Sequence, residues 1–433
     1  MKISLIKTTL LTCVLLMLKL YPLCAQGIHF SKESNWEELK AKAYAENKYI
    51  FVDCYATWCL PCKKMDNEVY PIDSVGFLVN KNFISIKVQM DSTKNDDDNI
   101  KQWYPLAKEL NDKYKINVLP TYLFFDSKGQ LLHKGFGFKT PNEFLDLVTS
   151  ANDPEKQYYT LLERYFKNEL SCSSKNYLAK TAQTLLDYEK ADSVGKNYIH
   201  DCLSSMPESR LWTKDNIEFM NMFTTSSSDK SFVFFYKNSD RVNKIMNYEG
   251  YAQSLVERII YKESIYPHLI ESHENPNQHP NWDSLRSVLI ARFDDWTVNS
   301  AITYGKLSWY KGTNNNELYC KYLIEKIEKY SSDSDKKNAF YINNSAWDIF
   351  SLSSSEEELK IASKWMESFL EGAPDDYYAL DTYANILYKL GDVAKAIEFQ
   401  KKAVEISGEE DFRSTLKKMK AGVPTWDKLR EEM

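Results

Sequence analysis

This chain of 433 residues is short of histidine, with six in all, and Cys59 and Cys62 form its one C-x-x-C pair. A structural zinc site draws about four ligands, commonly from a second cysteine pair or from histidines at short spacing. Neither is at hand: the nearest histidine downstream of Cys59 is His133. Zinc is set aside on that ground. The acidic run Asp96-Asp97-Asp98 lacks the turn glycine and the later glutamate of a calcium loop, so it reads as a polar loop. No block of lysine or arginine stands out, and the formal net charge is -6, which gives no electrostatic footprint for a nucleic-acid partner. Beyond the N-terminus no apolar run approaches the ~20 residues of a membrane-spanning helix, so no transmembrane segment is expected in the mature chain.

The N-terminus itself is apolar. Lys2 and Lys7 precede a short hydrophobic stretch, Thr8 to Leu18, and Leu23-Cys24-Ala25 precedes Gln26. That is the layout of a signal peptide over residues 1–25, and it implies export to the periplasm. Cys24 raises a lipid-anchored form, but Leu23 is a poor fit where lipoprotein sites want a small residue, so simple export is favoured. Six cysteines then remain: Cys54, Cys59, Cys62, Cys172, Cys202 and Cys320. An oxidising compartment permits a second disulfide, for which Cys172 and Cys202 are candidates. Cys54 is expected to pack as a small apolar side chain.

What is present is concentrated around Asp53 to Lys64. An apolar segment, Tyr49-Ile50-Phe51-Val52, reads as a buried strand, and Lys63 to Val69 reads as a helix. Two cysteines at such a strand-to-helix junction form a redox pair or a staple. So short a loop removes little unfolded-state entropy, which makes the staple weak and favours the redox reading. A cysteine at a helix N-terminus meets unpaired backbone N–H groups and the positive end of the dipole, which favours its thiolate.

Trp58-Cys59-Leu60-Pro61-Cys62 resembles the thioredoxin active-site pentapeptide, with Leu60 where the family usually carries glycine. Asp53 stands where that family keeps a buried carboxylate, Lys87 matches the lysine paired with it, and Val118-Leu119-Pro120-Thr121 matches the segment in which a cis proline faces the disulfide. The region from Glu68 to Phe83 resembles the secreted branch of the superfamily, including the C-terminal domain of the bacterial transmembrane thiol-reductant protein. The resemblance covers residues 28–151. It implies a thioredoxin fold and a thiol:disulfide oxidoreductase without a cofactor. Cys59 would attack, Cys62 would resolve the mixed disulfide from a more buried position, Asp53 would take the proton of Cys62, and Lys87 would pair with Asp53. Trp58, Pro61, Leu119 and Pro120 would contact the substrate, a protein disulfide. Oxidant members often carry histidine between the cysteines; Leu60-Pro61 is closer to the reducing type, and an exported reductase needs a membrane thiol-reductant donor.

From Asp153 onward the chain reads as helix after helix. Tyr177 to Lys190, Tyr251 to Tyr266, Trp282 to Trp296 and Leu318 to Tyr330 each gather apolar residues on one face, with Ser- and Asn-rich loops between. Tyr377 to Gly408 carries Ala384, Gly391-Asp392, Ala396, Phe399 and Ala403, and resembles a tetratricopeptide repeat. A step back of about 34 residues places Ala362, Trp365 and Phe369 under Ala396, Phe399 and Ala403. The expected division is therefore a thioredoxin-like α/β domain over 26–152, a region of degenerate helical hairpins over 153–340, and tetratricopeptide-like repeats over 341–420. The all-α part would recruit a protein client or partner. Other readings stay open: an interaction scaffold in which the first domain only docks, or an oxidase or isomerase of the same fold. The 29 tyrosines are left as aromatic helix packing or a binding surface.

Overall fold

The computed structural model describes residues 27–274 and 279–426; the expected signal peptide and Cys24 lie outside the described residues. The chain divides into two compact units between Ser205 and Met206.

The first unit is built on a four-stranded sheet in the order β2-β1-β3-β4, with β1 Tyr49–Tyr55, β2 Phe83–Gln89, β3 Thr121–Phe125 and β4 Leu131–Phe136. β1 runs parallel to β2 and antiparallel to β3, and β3 runs antiparallel to β4. β1 is central and buried on both faces, which its continuous apolar run requires. Side chains alternate across a strand. Ile50, Val52 and Cys54 enter one core with Leu39, Ile86, Leu110 and Leu123. Phe51 enters the other with Met65, Val69, Tyr70, Tyr122, Phe124 and Phe144. Asp53 has the parity of Phe51 and so belongs to the second face.

Helix α1, Trp36–Ala45, starts at Asn35, whose side chain accepts the Glu38 N–H. Helix α2, Leu60–Lys64, carries the motif and runs on into a wider π turn, Met65–Val69. Helix α3 is Asp73–Asn82, and on it Gly76 lies against the Gly27 backbone so closely that a Cβ would fall 2.1 Å from the Gly27 carbonyl oxygen. The polar loop expected at Asp96-Asp97-Asp98 holds α4, Asp98–Lys101, with Asp97 as its N-cap. Asp96 is buried there, accepting from the Thr93 hydroxyl and N–H, the Gln89 amide and the Tyr104 hydroxyl. The acidic run thus organises its own loop. Helix α5 is Tyr104–Tyr114, and α6, Pro141–Asn152, opens on a capping box between Thr140 and Glu143.

The first unit continues beyond the sheet through α7 Tyr158–Phe166, α8 Cys172–Thr184 and α9 Tyr188–Tyr198, the last extended by a π turn, Ile199–Leu203. The seam is made by His133 of β4, whose Nδ1 accepts the Tyr158 N–H at 3.0 Å. The run 177–190 read above as one helix is two. The chain reverses at Leu186, which has φ +57. No glycine or proline marks that reversal, so apolar spacing runs through it unbroken. Cys172 and Cys202 are bridged, tying the start of α8 to the end of α9.

The second unit is helical throughout its described residues. The run 282–296 read as one helix is likewise interrupted: Trp282–Leu289 ends, and Asp294 caps a new helix, Asp295–Gly312, by accepting the Thr297 N–H. Two hairpins follow, Ala339–Leu352 with Glu356–Gly372 and Tyr377–Lys389 with Val393–Ser407. Ala362, Ala384, Ala396 and Ala403 are completely buried within one core, which lets the helices pack closely. The hairpins begin 38 residues apart, at Ala339 and Tyr377. No described helix is long and apolar enough to cross a membrane.

Candidate active site

Cys59 is the N-cap of α2 and Cys62 lies one turn inside, and the two are joined by a disulfide with Cα atoms 5.3 Å apart. The Cys62 N–H donates to Cys59 Sγ at 3.1 Å. Pro61 suits the first turn because its missing N–H would have no helical partner there. Trp58 and Leu60 flank Cys59, 71% and 65% exposed, which leaves both free for contact rather than packing. The cysteines themselves are alike in burial, at 2% and 3%. The expected contrast, with Cys62 the deeper, is therefore absent from this oxidised state. What separates them is helix position, since only Cys59 sits at the end where N–H groups point outward.

The Leu119–Pro120 bond is cis. Leu119 packs against Cys59, Cys62 and Ala56, and Pro120 is buried, its carbonyl accepting the Gly137 N–H. Thr57 is tied to the loop after β2, its N–H donating to Asp91 Oδ1 at 3.1 Å.

Asp53 lies on β1 in register with Lys87 on β2 and with Tyr122 on β3. It is buried, and its Oδ1 meets no hydrogen-bond partner. Burial pushes its carboxyl up to about 7; Lys87 opposes this rise and Asp66 adds to it. The Tyr70 hydroxyl is near enough to bias the carboxylate, yet neither atom completes a hydrogen bond in regular geometry. The neighbouring Cys54 thiol is buried, with its pKa pushed well up by desolvation and then by Asp53. It is inert packing.

Lys87 does not pair chiefly with Asp53. Its Nζ stands 3.7 Å from Asp53 Oδ2 but 2.5 Å from Asp66 Oδ1. It also lies over three aromatic rings, 4.7 Å from the centroid of Tyr55, 5.6 Å from Phe30 and 5.8 Å from Tyr70. Such a cage favours a cation electrostatically. Asp66 comes from the π turn after α2, where one extra residue shifts the helix face, so no α-helical spacing rule would have picked it out. A cavity of about 510 Å³ reaches Lys87 and Tyr55 from solvent. A second, of about 570 Å³, lies beside Trp58 and Leu119.

Residues 36–152 match the thioredoxin-like domain family. The chain is 29% identical over 105 residues to the thiol:disulfide interchange protein DsbD of Photorhabdus laumondii, covering 24% of this chain but only 16% of that protein. It is 28% identical over 120 residues to a thioredoxin of Mycoplasmoides gallisepticum, covering 28% of this chain and 97% of that one. Among solved structures, the oxidised C-terminal domain of Neisseria meningitidis DsbD is 22% identical with a TM-score of 0.21, covering 27% of this chain and 90% of that one.

Proposed function

We propose that the thioredoxin-like domain makes this chain an exported thiol:disulfide oxidoreductase that reduces protein disulfides. The observation that carries the reading is a Cys59–Cys62 disulfide at a helix N-terminus beside a cis proline, with a buried Asp53, whose carboxyl is pushed up to about 7, on the adjoining strand. In the dithiol form the Cys59 thiolate attacks one sulfur of a client disulfide, forming a mixed disulfide and expelling the other sulfur as a thiolate. Cys62 then attacks Cys59 Sγ, giving its proton to the Asp53 carboxylate and releasing the second client thiolate. The protein ends in the bridged state described above. Two electrons from a dithiol on a membrane donor restore it. Trp58 and Leu60, with Pro61 and the Leu119–Pro120 segment, line the approach for the client.

Export is read from the charged and apolar N-terminal segment. The paired helical hairpins of the second unit, read as tetratricopeptide-like, recruit the client. The direct test incubates the reduced full chain with a folded disulfide protein and counts client thiols. Cys59→Ser abolishes thiol release and Cys62→Ser accumulates a mixed disulfide; release by Cys59→Ser at the native rate refutes the reading. The direction of flow follows from the potential of the pair: below about -250 mV it reduces, and above about -190 mV it oxidises or isomerises.

A further inference from the structure

The last described helix, Glu410–Lys420, gives way to a reversal at Gly422, which has φ +70, and the chain then returns across the helical hairpins. The Gly422 and Val423 N–H groups donate to the Met419 and Lys418 carbonyls. Among the described residues, 424–426 make no backbone-to-backbone hydrogen bond. Val423 precedes Pro424, which holds it to extended backbone. The segment is therefore held on the hairpins by its side chains, and Trp426 is the anchor. Its ring meets Phe350 edge-on at 6.4 Å and Tyr388 at 6.0 Å, and Lys389 Nζ stands over it, 5.4 Å from the centroid. Phe350 lies near the end of Ala339–Leu352, and Tyr388 and Lys389 close Tyr377–Lys389; these are the first helices of the two hairpins. Lys389 Nζ also donates to the Phe350 carbonyl at 3.0 Å, which ties the two helices together at this notch. Trp426 fits the notch incompletely. Its Nε1 and the Thr425 Oγ1 are both buried and meet no hydrogen-bond partner. A buried indole N–H ordinarily finds an acceptor, and one left without it opposes the contact.

We propose that this notch is a docking site for an aromatic side chain on an extended segment of a client protein, with Trp426 as an internal stand-in that the client segment displaces. The seated segment shows what the notch takes: a flat ring, met by one aromatic side chain from each hairpin, with a cation over its face. Such surroundings favour an aromatic guest over an aliphatic one. Phenylalanine keeps the ring contacts and buries no unpartnered donor, so it competes well with the indole of Trp426. The tether offsets that disadvantage. A segment joined to the last helix is presented at high effective concentration, and the notch stays filled until a client presents a better ring. The bond from Lys389 to Phe350 spans the notch without help from Trp426, so the site keeps its shape when the ring leaves. The inference goes beyond the redox chemistry and rests on the client-recruitment reading only for the identity of the partner as protein.

The test is saturation-transfer NMR on the full chain with the peptide Ala-Gly-Val-Pro-Thr-Trp, the sequence of 421–426. Trp426→Ala vacates the notch, and this variant should transfer saturation to the peptide indole about tenfold or more above the native chain. Phenylalanine in place of the peptide tryptophan should bind the variant more tightly, and alanine there should abolish binding. Lys389→Gln added to Trp426→Ala should weaken binding severalfold by removing the cation over the ring. Equal transfer from the native chain and the variant places the peptide elsewhere and overturns the proposal. No transfer from either overturns it too, as does loss of helical circular dichroism in Trp426→Ala, since a stand-in is not needed for the fold. Reduction of a small-molecule disulfide, followed in parallel, separates the two readings. If reduction fails while peptide binding holds, only the redox function falls; the reverse result removes only the notch.

Discussion

Replacing Asp53 by asparagine should stabilise the oxidised protein near neutral pH, by an amount that depends on pH in a defined way. The carboxyl has its pKa raised from 3.8 to about 7, mainly by burial. Below about pH 4 it is protonated in both the folded and the unfolded chain, and it makes no pH-dependent difference. Between these values the unfolded chain has released the proton while the folded chain still holds it. Each unit of pH rise then favours unfolding by about 1.4 kcal/mol. Above pH 7 both states are ionised and the penalty levels off, after roughly three units, at about 4 kcal/mol. That is a sizeable part of the 5–15 kcal/mol that holds a typical domain together. Asparagine keeps the shape and cannot ionise. Urea unfolding of both proteins from pH 4 to pH 8 should therefore show curves that diverge as pH rises and run parallel above about 7. Any constant offset from the amide itself does not change that shape. A difference that stays flat across the range refutes a neutral buried Asp53. The same substitution should slow client release, because Cys62 loses its proton acceptor, so stability and activity part in opposite directions.

The Lys87 arrangement predicts opposite shifts for two substitutions. A unit charge at 3.7 Å is worth about 4 kcal/mol at an effective dielectric near 20, an upper bound because Lys87 is partly exposed. Lys87→Gln should raise the pH midpoint of client release by about one unit or more, and Asp66→Asn should lower it, by removing a like charge and freeing Lys87 for Asp53; shifts of the same sign contradict the geometry. Burial holds the His133 pKa down at about 4, so its NMR resonances should stay those of a neutral ring until about that pH. The stability this neutral histidine carries is complete above about pH 6.5 and is lost as pH falls toward 4; a midpoint near 6.5 would show the ring is not buried against Tyr158. Cys172→Ala with Cys202→Ala opens a loop of 30 residues and should cost about 3.6 kcal/mol in guanidinium unfolding, with disulfide reduction by Cys59 and Cys62 unchanged.

The redox site was legible because its parts are local or strand-bound. A C-x-x-C at a strand-to-helix junction reports its own backbone, and Asp53 and Lys87 fall into register once β1 and β2 are known to be parallel neighbours. Asp66 was not legible: its approach to Lys87 depends on a π turn, and apolar spacing records no such widening. The aromatic cage drawn from Phe30, Tyr55 and Tyr70 comes from three separate elements and leaves no pattern along the chain. Helix breaks at Leu186 and before Asp294 escaped for a related reason, because both flanking helices bury a face and the apolar spacing continues across the turn. Alanines at the hairpin crossings were legible, since only small side chains permit the close packing seen at Ala384 and Ala396. Tyrosine abundance pointed to no location; Tyr261, Tyr266 and Tyr304 come together only through ring contacts between helices of the fold.

The four π turns among the described residues share a property of chain length. Each holds one more residue than the α turn it replaces, and each residue in a helix turns the chain by about 100°. Asp66, Cys202, Tyr261 and Lys326 all sit within such turns. Removing a single residue from any of them would leave a perfectly good helix, yet would swing everything on one side of the deletion about a quarter-turn around the axis. At these places a change in residue count displaces far more side chains than any single substitution does. Insertions and deletions, more than point changes, are therefore the class of mutation these segments resist.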